Sequence, residues 1–262
     1  MKIDIIVPTN NIQEINSFIF SLDKMKEFKK HIQLIIIGNG DVDYEHILGE
    51  HSVNYSFIRI DEDYKDKAIP FTSLRLSGIA YSHCDYFLFF DDDHRFNKKS
   101  DTFLMKCIET LEEVKDCSIL CTDKNKNRNT GLKLKTDGFI WTNKGLFIKN
   151  IFNKLDFGIY SMLLGAGEDL LFSYMVLEQE GLPYILYGSD ITRKEKRYIN
   201  GNIIPNMSYS EEIMNNNIIG YLRHYFNDKE WIHQSDHFDT TFPKKLQDIL
   251  NKRINEKDLS GL

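Results

Sequence analysis

The chain of 262 residues has only four cysteines, Cys84, Cys107, Cys117 and Cys121. They are sparse for a secreted disulfide scaffold and lack the paired short spacing of a zinc site. They read as reduced thiols, mostly in the core. No apolar run approaches the roughly 20 residues that a bilayer-spanning helix requires. A charged leader with a long apolar stretch is also missing, since Met1-Lys2-Ile3-Asp4-Ile5-Ile6-Val7-Pro8 runs straight into a strand-like segment. The expected location is therefore cytoplasmic, with peripheral contact to the inner face of the membrane left open. An excess of positive charge is lacking too. A formal net charge of -6 and a pI near 5.8 supply no global attraction to nucleic-acid phosphates, so nucleic acid is not an expected partner. No internal repeat stands out at the usual periods.

Two local basic stretches run against that balance. One holds Lys124, Lys126, Arg128, Lys133 and Lys135, the other Arg193, Lys194, Lys196 and Arg197. Each is either a solvated loop or a face toward an anionic substrate or lipid headgroups. The hydrophobic share of 42% and charged share of 27% are ordinary for a folded domain, and the length suits one α/β core carrying a smaller appended segment.

Through the first 120 or so residues, short β-branched and aromatic runs alternate with helical spacing. That is the pattern of a mostly parallel sheet covered by helices. Strands are expected at Ile3 to Val7, Gln33 to Ile37, Tyr55 to Ile60 and Tyr86 to Phe90, and a shorter one at Ser118 to Cys121. Ile15, Phe18, Ile19 and Leu22 recur at the spacing of a helix face. Further helices are expected from Phe71 to Ser82 behind Pro70, from Thr102 to Val114, behind Glu168-Asp169 as far as Gly181-Leu182-Pro183, and from Pro243 to Lys257. A Lys/Asn-rich loop is expected between Asp123 and Thr130.

Tyr86-Phe87-Leu88-Phe89-Phe90, apolar on both faces, runs directly into Asp91-Asp92-Asp93. Carboxylates crowded at a strand end repel one another unless a cation or solvent compensates them. Mg²⁺ and Mn²⁺ favour carboxylate and phosphate oxygens, and ligands of open α/β sheets bind beyond the carboxyl ends of strands. The plain alternative is an acidic turn capping the next helix. Glu168-Asp169, behind Gly165-Ala166-Gly167, has the same alternative, because carboxylates are favourable in a first helical turn.

Taken together, these segments resemble the GT-A glycosyltransferases, particularly the inverting family 2 type. Val7-Pro8-Thr9-Asn10 matches the family's opening strand end, and Asp91-Asp92-Asp93 matches its Asp-x-Asp segment. Gly167-Glu168-Asp169 resembles the Gly-Glu-Asp that supplies the base. Leu74-Arg75-Leu76-Ser77-Gly78 stands where the family has Ala-Arg-Asn-x-Gly, keeping the Arg and replacing the Asn. Gly38-Asn39-Gly40-Asp41 stands for Asp-Asp-Gly-Ser without its first acidic group.

The resemblance covers roughly residues 1 to 190 and implies a metal-dependent sugar transfer from a nucleotide-diphosphate sugar, with a UDP-sugar as the expected donor. The acceptor would be a saccharide or glycolipid hydroxyl, in polysaccharide or glycoconjugate synthesis. It implies a GT-A core over 1–198, with 1–97 as the nucleotide-sugar half and 98–198 as the acceptor half, while 199–262, richer in Asn and aromatics and ending in a polar helix, is expected from its composition to be a mainly helical extension. Asp91 and Asp93 are the implied ligands of Mn²⁺ or Mg²⁺. Pro8, Thr9, Asn10, Asn39, Arg75, Asp91 and Asp92 are the implied donor contacts. Asp169 is the implied base, with Glu168 able to exchange roles. His224, His233 and His237 are candidates for a late metal ligand, each weighed against an ordinary surface or core histidine. Two other readings stay open: a catalytically silent nucleotide-sugar-binding module, and a sugar nucleotidyltransferase, whose Gly-rich, Arg-containing loop Thr9-Asn10-Asn11-Ile12-Gln13 does not supply.

Overall fold

A computed structural model describes residues 1–39, 47, 51–60, 71–123, 131–135, 145–151, 168–193, 198–199, 202–203 and 244–259. Its centre is an eight-stranded sheet. β1 (Ile3–Thr9) lies between β2 (Ile32–Asn39) and β4 (Tyr86–Phe89), and β3 (Tyr55–Ile60) is added outside β2, all in parallel. Beyond β4 comes β8 (Leu146–Lys149), antiparallel to both β4 and β6 (Cys117–Asp123). β9 (Leu182–Tyr187) runs parallel to β6, and β7 (Gly131–Leu134) closes that edge antiparallel to β9. The expected α/β class with a mostly parallel sheet is what forms. The carboxyl ends of β1, β2, β4, β6 and β9 consequently share one edge.

Helices cover the sheet for readable reasons. α1 (Ile12–Asp23) starts at Asn11, whose side chain accepts from the N–H groups of Gln13 and Glu14, and it buries Ile15, Phe18, Ile19 and Leu22. α2 (Phe71–Tyr81) packs against β1 and β2 with Gly78 at the closest approach, where a Cβ would meet Ile6 Cγ2 at 2.5 Å. α3 (Lys98–Glu113) begins four residues before the expected Thr102, because Asn97 and Ser100 form a capping box. That Asn-x-x-Ser signal was present in the sequence.

The second half departs further from expectation. Gly181-Leu182-Pro183, read as a helix end, does follow the end of α4 (Glu168–Gln179), but Leu182 and Pro183 also open a strand that was not expected, β9. Pro183 is tolerated in a central strand because it pairs at a register shift in β6, between Cys117 and Ile119, and its carbonyl still accepts from the N–H of Lys135. Lys135, expected in a solvated stretch, is buried beside β9. Residues 124–130 and 194–197 of the two basic stretches lie outside the described residues. Cys107, Cys117 and Cys121 are buried and Cys84 partly so, and burial pushes the thiol of Cys84 up to about 12, as expected of inert reduced thiols.

The last helix, α5 (Lys244–Leu259), docks on α4 and β9. Leu246 and Leu250 are buried there. Arg253 donates to the carbonyls of Leu177, Glu178 and Gly181, which are left unpaired by the end of α4. Lys257 pairs with Asp116 at 2.8 Å and donates to the hydroxyl of Tyr184. Among the described residues, no helix is long and apolar enough to cross a membrane.

Gly181 has φ +70°, and a Cβ there would stand 1.9 Å from Ser118 Oγ and 2.8 Å from the Asp116 carbonyl. Gly181→Ala is therefore expected to lower stability by about 2–4 kcal/mol, from left-handed backbone strain and overpacking. Urea unfolding monitored by fluorescence checks this. A loss under about 0.5 kcal/mol would mean that Ser118 and Asp116 move aside freely.

Candidate active site

Three elements bring the acidic run together with its partners. β4 delivers Asp91-Asp92-Asp93 just past Phe90, whose N–H donates to the Ile6 carbonyl of β1. β1 ends one strand away at Thr9, and its hydroxyl donates to Asp92 Oδ2 at 2.6 Å. α2 contributes Arg75. Its Nη2 donates to Asp91 Oδ1 at 3.0 Å, and its guanidinium lies 4.4 Å over the ring of Phe89.

A second arginine holds the turn from outside. Arg95 Nη1 donates to the carbonyls of Asp92, at 2.6 Å, and His94, at 2.8 Å, while Nη2 pairs with Glu14 of α1. His94 and Arg95 form the short strand β5, antiparallel to β10 (Thr192–Arg193). The loop after β9 thereby braces the acidic turn.

His94 is buried, with its ring 5.0 Å from that of Phe90. Its Nδ1 stands 3.0 Å from the Asp91 carbonyl, 3.2 Å from the Asp91 N–H nitrogen and 3.4 Å from Asp93 Oδ1. Asp91, Asp93 and His94 each offer a ligand atom, and those atoms lie within 4.8 Å of one another. Carboxylate oxygens with one imidazole nitrogen form a donor set able to hold a hard or borderline divalent ion.

The residues expected from sequence separate into distinct positions. Thr9, Arg75, Asp91, Asp92 and Asp93 converge. Pro8 is buried inside β1 and Asn10 is exposed beyond it, while the neighbouring Asn11 caps α1. Asp92 is buried and turned onto Thr9; Asp91 is the partly exposed member of the run. Asn39 ends β2, one residue past the Thr9↔Gly38 pair, and its side chain lies outside the described residues. Glu168 and Asp169 open α4, but their side chains, Gly165 to Gly167 and the three histidines His224, His233 and His237 also lie outside them. Four residues beyond Glu168, the ring of Phe172 packs 5.9 Å from that of Phe89. The early turns of α4 thus lie against the strand that ends in the aspartates.

Solved structures share this arrangement of sheet and helices. Residues 1–349 of S. aureus TarS superpose with a TM-score of 0.54 at 14% identity, over 87% of this chain and 73% of that one. The fold is GT-A. The same TarS fragment in complex with UDP gives a TM-score of 0.52 at 15% identity, over 87% of this chain and 73% of that one. A mycobacterial protein gives 0.56 at 12% identity, over 92% of this chain and 84% of that one. No family model matches the chain, and no curated protein matches it in sequence. The mostly parallel sheet places the Asp91–Asp93 turn at the carboxyl edge, where open α/β sheets leave room for a ligand.

Sequence reading looked for a histidine late in the chain and passed over His94, which directly follows Asp93. It also passed over Arg95 and Glu14. The available signal was the unbroken run Asp91-Asp92-Asp93-His94-Arg95, in which charged and imidazole groups continue past a fully apolar strand.

The Arg75–Asp91 pair joins a buried guanidinium to a carboxylate about one-third exposed, at 7% and 31% side-chain exposure. A double-mutant cycle with Arg75→Met and Asp91→Asn is expected to give a coupling energy of about 1–2 kcal/mol at low salt. A coupling near zero in urea unfolding would show that the two groups are neighbours without being energetic partners.

Proposed function

We propose that this protein is a metal-dependent glycosyltransferase that moves a sugar from a UDP-sugar to an acceptor hydroxyl with inversion. The observation that carries this reading is the partly exposed Asp91 beside Asp93, held by Arg75 and Thr9 contacts at the carboxyl edge of a GT-A sheet. TarS, which shares the fold, is a glycosyltransferase whose fragment was crystallised with UDP. The acceptor in this reading is a saccharide or glycolipid hydroxyl, in polysaccharide or glycoconjugate synthesis.

Asp91 and Asp93 would hold Mn²⁺ or Mg²⁺, whose charge, when bound, offsets the negative charge on the departing diphosphate. The rest of the work falls to side chains. Arg75 is occupied by Asp91, so it orders the acidic turn instead of reaching for phosphate. Thr9 and Arg95 fix the other side of that turn, which keeps Asp91 and Asp93 from relaxing apart. Such preorganisation matters because transition-state charge is best met by groups that need not move.

Asp169, in the first turn of α4, serves as the base. An alcohol is a weak nucleophile at neutral pH, and a positioned carboxylate takes its proton as the oxygen attacks the anomeric carbon. The bond from that carbon to the diphosphate oxygen breaks on the opposite face, and its electron pair leaves with UDP. Glu168 stands next to Asp169 as the alternative base.

Asp93→Asn is expected to remove Mn²⁺-dependent binding of UDP-sugar in calorimetry, since the amide keeps the size but loses the charge-assisted contact. Unchanged affinity would take Asp93 out of the metal site. Asp169→Asn is expected to lower turnover by about 10²–10⁴-fold while donor affinity and melting temperature stay near the parent values, because Asn keeps the size and hydrogen-bonding reach of Asp in the first turn of α4 but accepts no proton. Glu168→Gln is the control. A large loss only in the Glu168 variant reverses the assignment, and donor binding without any turnover in the parent protein would leave a silent binding module.

A further inference from the structure

We propose that His94 is itself a ligand of the active-site cation, completing an Asp91, Asp93 and His94 set that favours Mn²⁺ over Mg²⁺. This rests on the metal-dependent reading above and says which ion the site is built for and which side chain makes the choice.

The argument begins from where the ring is held. His94 sits in β5, paired through its backbone to Arg193 of β10, with its ring against Phe90. Neither contact uses the ring nitrogens. Nδ1 is left facing the acidic turn, 3.4 Å from Asp93 Oδ1 and 3.0 Å from the Asp91 carbonyl. Around an ion with bonds of about 2.1 Å, neighbouring ligand atoms are about 3 Å apart and opposite ones about 4.3 Å. The candidate ligand atoms of Asp91, Asp93 and His94 lie within 4.8 Å of one another, close to the span of opposite ligands around one ion.

Electrostatics point the same way. One imidazole nitrogen carries either a proton or a lone pair, never both. Here Nδ1 is close to an N–H on one side and to carbonyl and carboxylate oxygens on the other. As the structure stands the Asp91 N–H donates to Nδ1 at 3.2 Å, and an ion shared by the Asp91 and Asp93 carboxylates would take that lone pair in its place. The choice of ion follows from ligand type. Mg²⁺ prefers oxygen and keeps its waters, whereas imidazole nitrogen adds affinity for first-row transition ions. The rival role for His94 is positional: Nδ1–H donating to the Asp91 carbonyl and merely shaping the turn.

Pulsed electron paramagnetic resonance of Mn²⁺ bound to the full chain with UDP separates these roles. A coordinated imidazole is expected to give nitrogen-14 modulation that changes when the protein is made with nitrogen-15 histidine, and that disappears in His94→Gln. In calorimetry with UDP, the preference for Mn²⁺ over Mg²⁺ is expected to fall at least about tenfold in that variant. The spectrum of the parent protein decides the matter even if the variant folds poorly. Bound Mn²⁺ without histidine nitrogen modulation overturns the ligand role of His94 and leaves the glycosyltransferase reading standing. Failure of the parent protein to bind Mn²⁺ in the presence of UDP overturns both.

Discussion

The guanidinium of Arg75 lies between the ring of Phe89 and the carboxylate of Asp91, and much of the site depends on that sandwich. A buried arginine is costly unless its charge is met, and here one face meets an aromatic ring while its edge meets an acid. Phe89 is fixed in turn by its place in β4 and by Phe172 of α4 on the same cluster. One aromatic side chain thus connects the helix carrying the arginine, the strand ending in the aspartates and the helix that opens with Glu168-Asp169. A change in any of the three would be felt at the acidic turn, although only Asp91 to Asp93 need touch a ligand.

The parallel alignment of β1 with β4 supplies the second constraint. Their register sets Ile6 opposite Phe89, so Thr9 emerges at the level of the turn and its hydroxyl reaches Asp92. A one-residue slip would turn Thr9 to the other face of the sheet, away from Asp92. The identity of Thr9 and the length of β1 therefore belong to the site as much as to the sheet. β5 and β10 do the same from the other side, tying the turn to the chain that follows β9.

The first half of the fold was legible because its signals are local. Strands β1 to β4 are short runs dominated by β-branched and aromatic residues, and α1 declares itself by Asn11 and by the spacing of Ile15, Phe18, Ile19 and Leu22. β7, β8 and β9 were missed because they are short or begin in turn-like residues. Gly181-Leu182-Pro183 reads as a stop, and only the irregular pairing with β6 makes it a strand start. The acidic residues were legible from their position after β4, whereas the partners that fix them were not. Glu14 and Arg95 are 81 positions apart, and Thr9 and Asp92 are 83 apart, so no spacing rule brings them together. Arg75 was found through a motif, and its pairing with Asp91 required the packing of α2.

Charge balance connects these contacts to function. Among the described residues around the turn, two guanidiniums, those of Arg75 and Arg95, stand against the four carboxylates of Glu14, Asp91, Asp92 and Asp93. Arg95 is engaged with Glu14, and Asp92 is satisfied by a neutral hydroxyl, which leaves the edge facing a ligand negative. A diphosphate brought to that edge alone would meet repulsion at close range in a medium less polar than water. The same edge becomes attractive once a divalent cation is shared between the carboxylates and the phosphates. On the reading proposed above, a turn that exposes Asp91 while Asp92, Asp93 and Arg75 stay buried behind it would take up metal and nucleotide as one unit, with the affinity for each depending on the presence of the other.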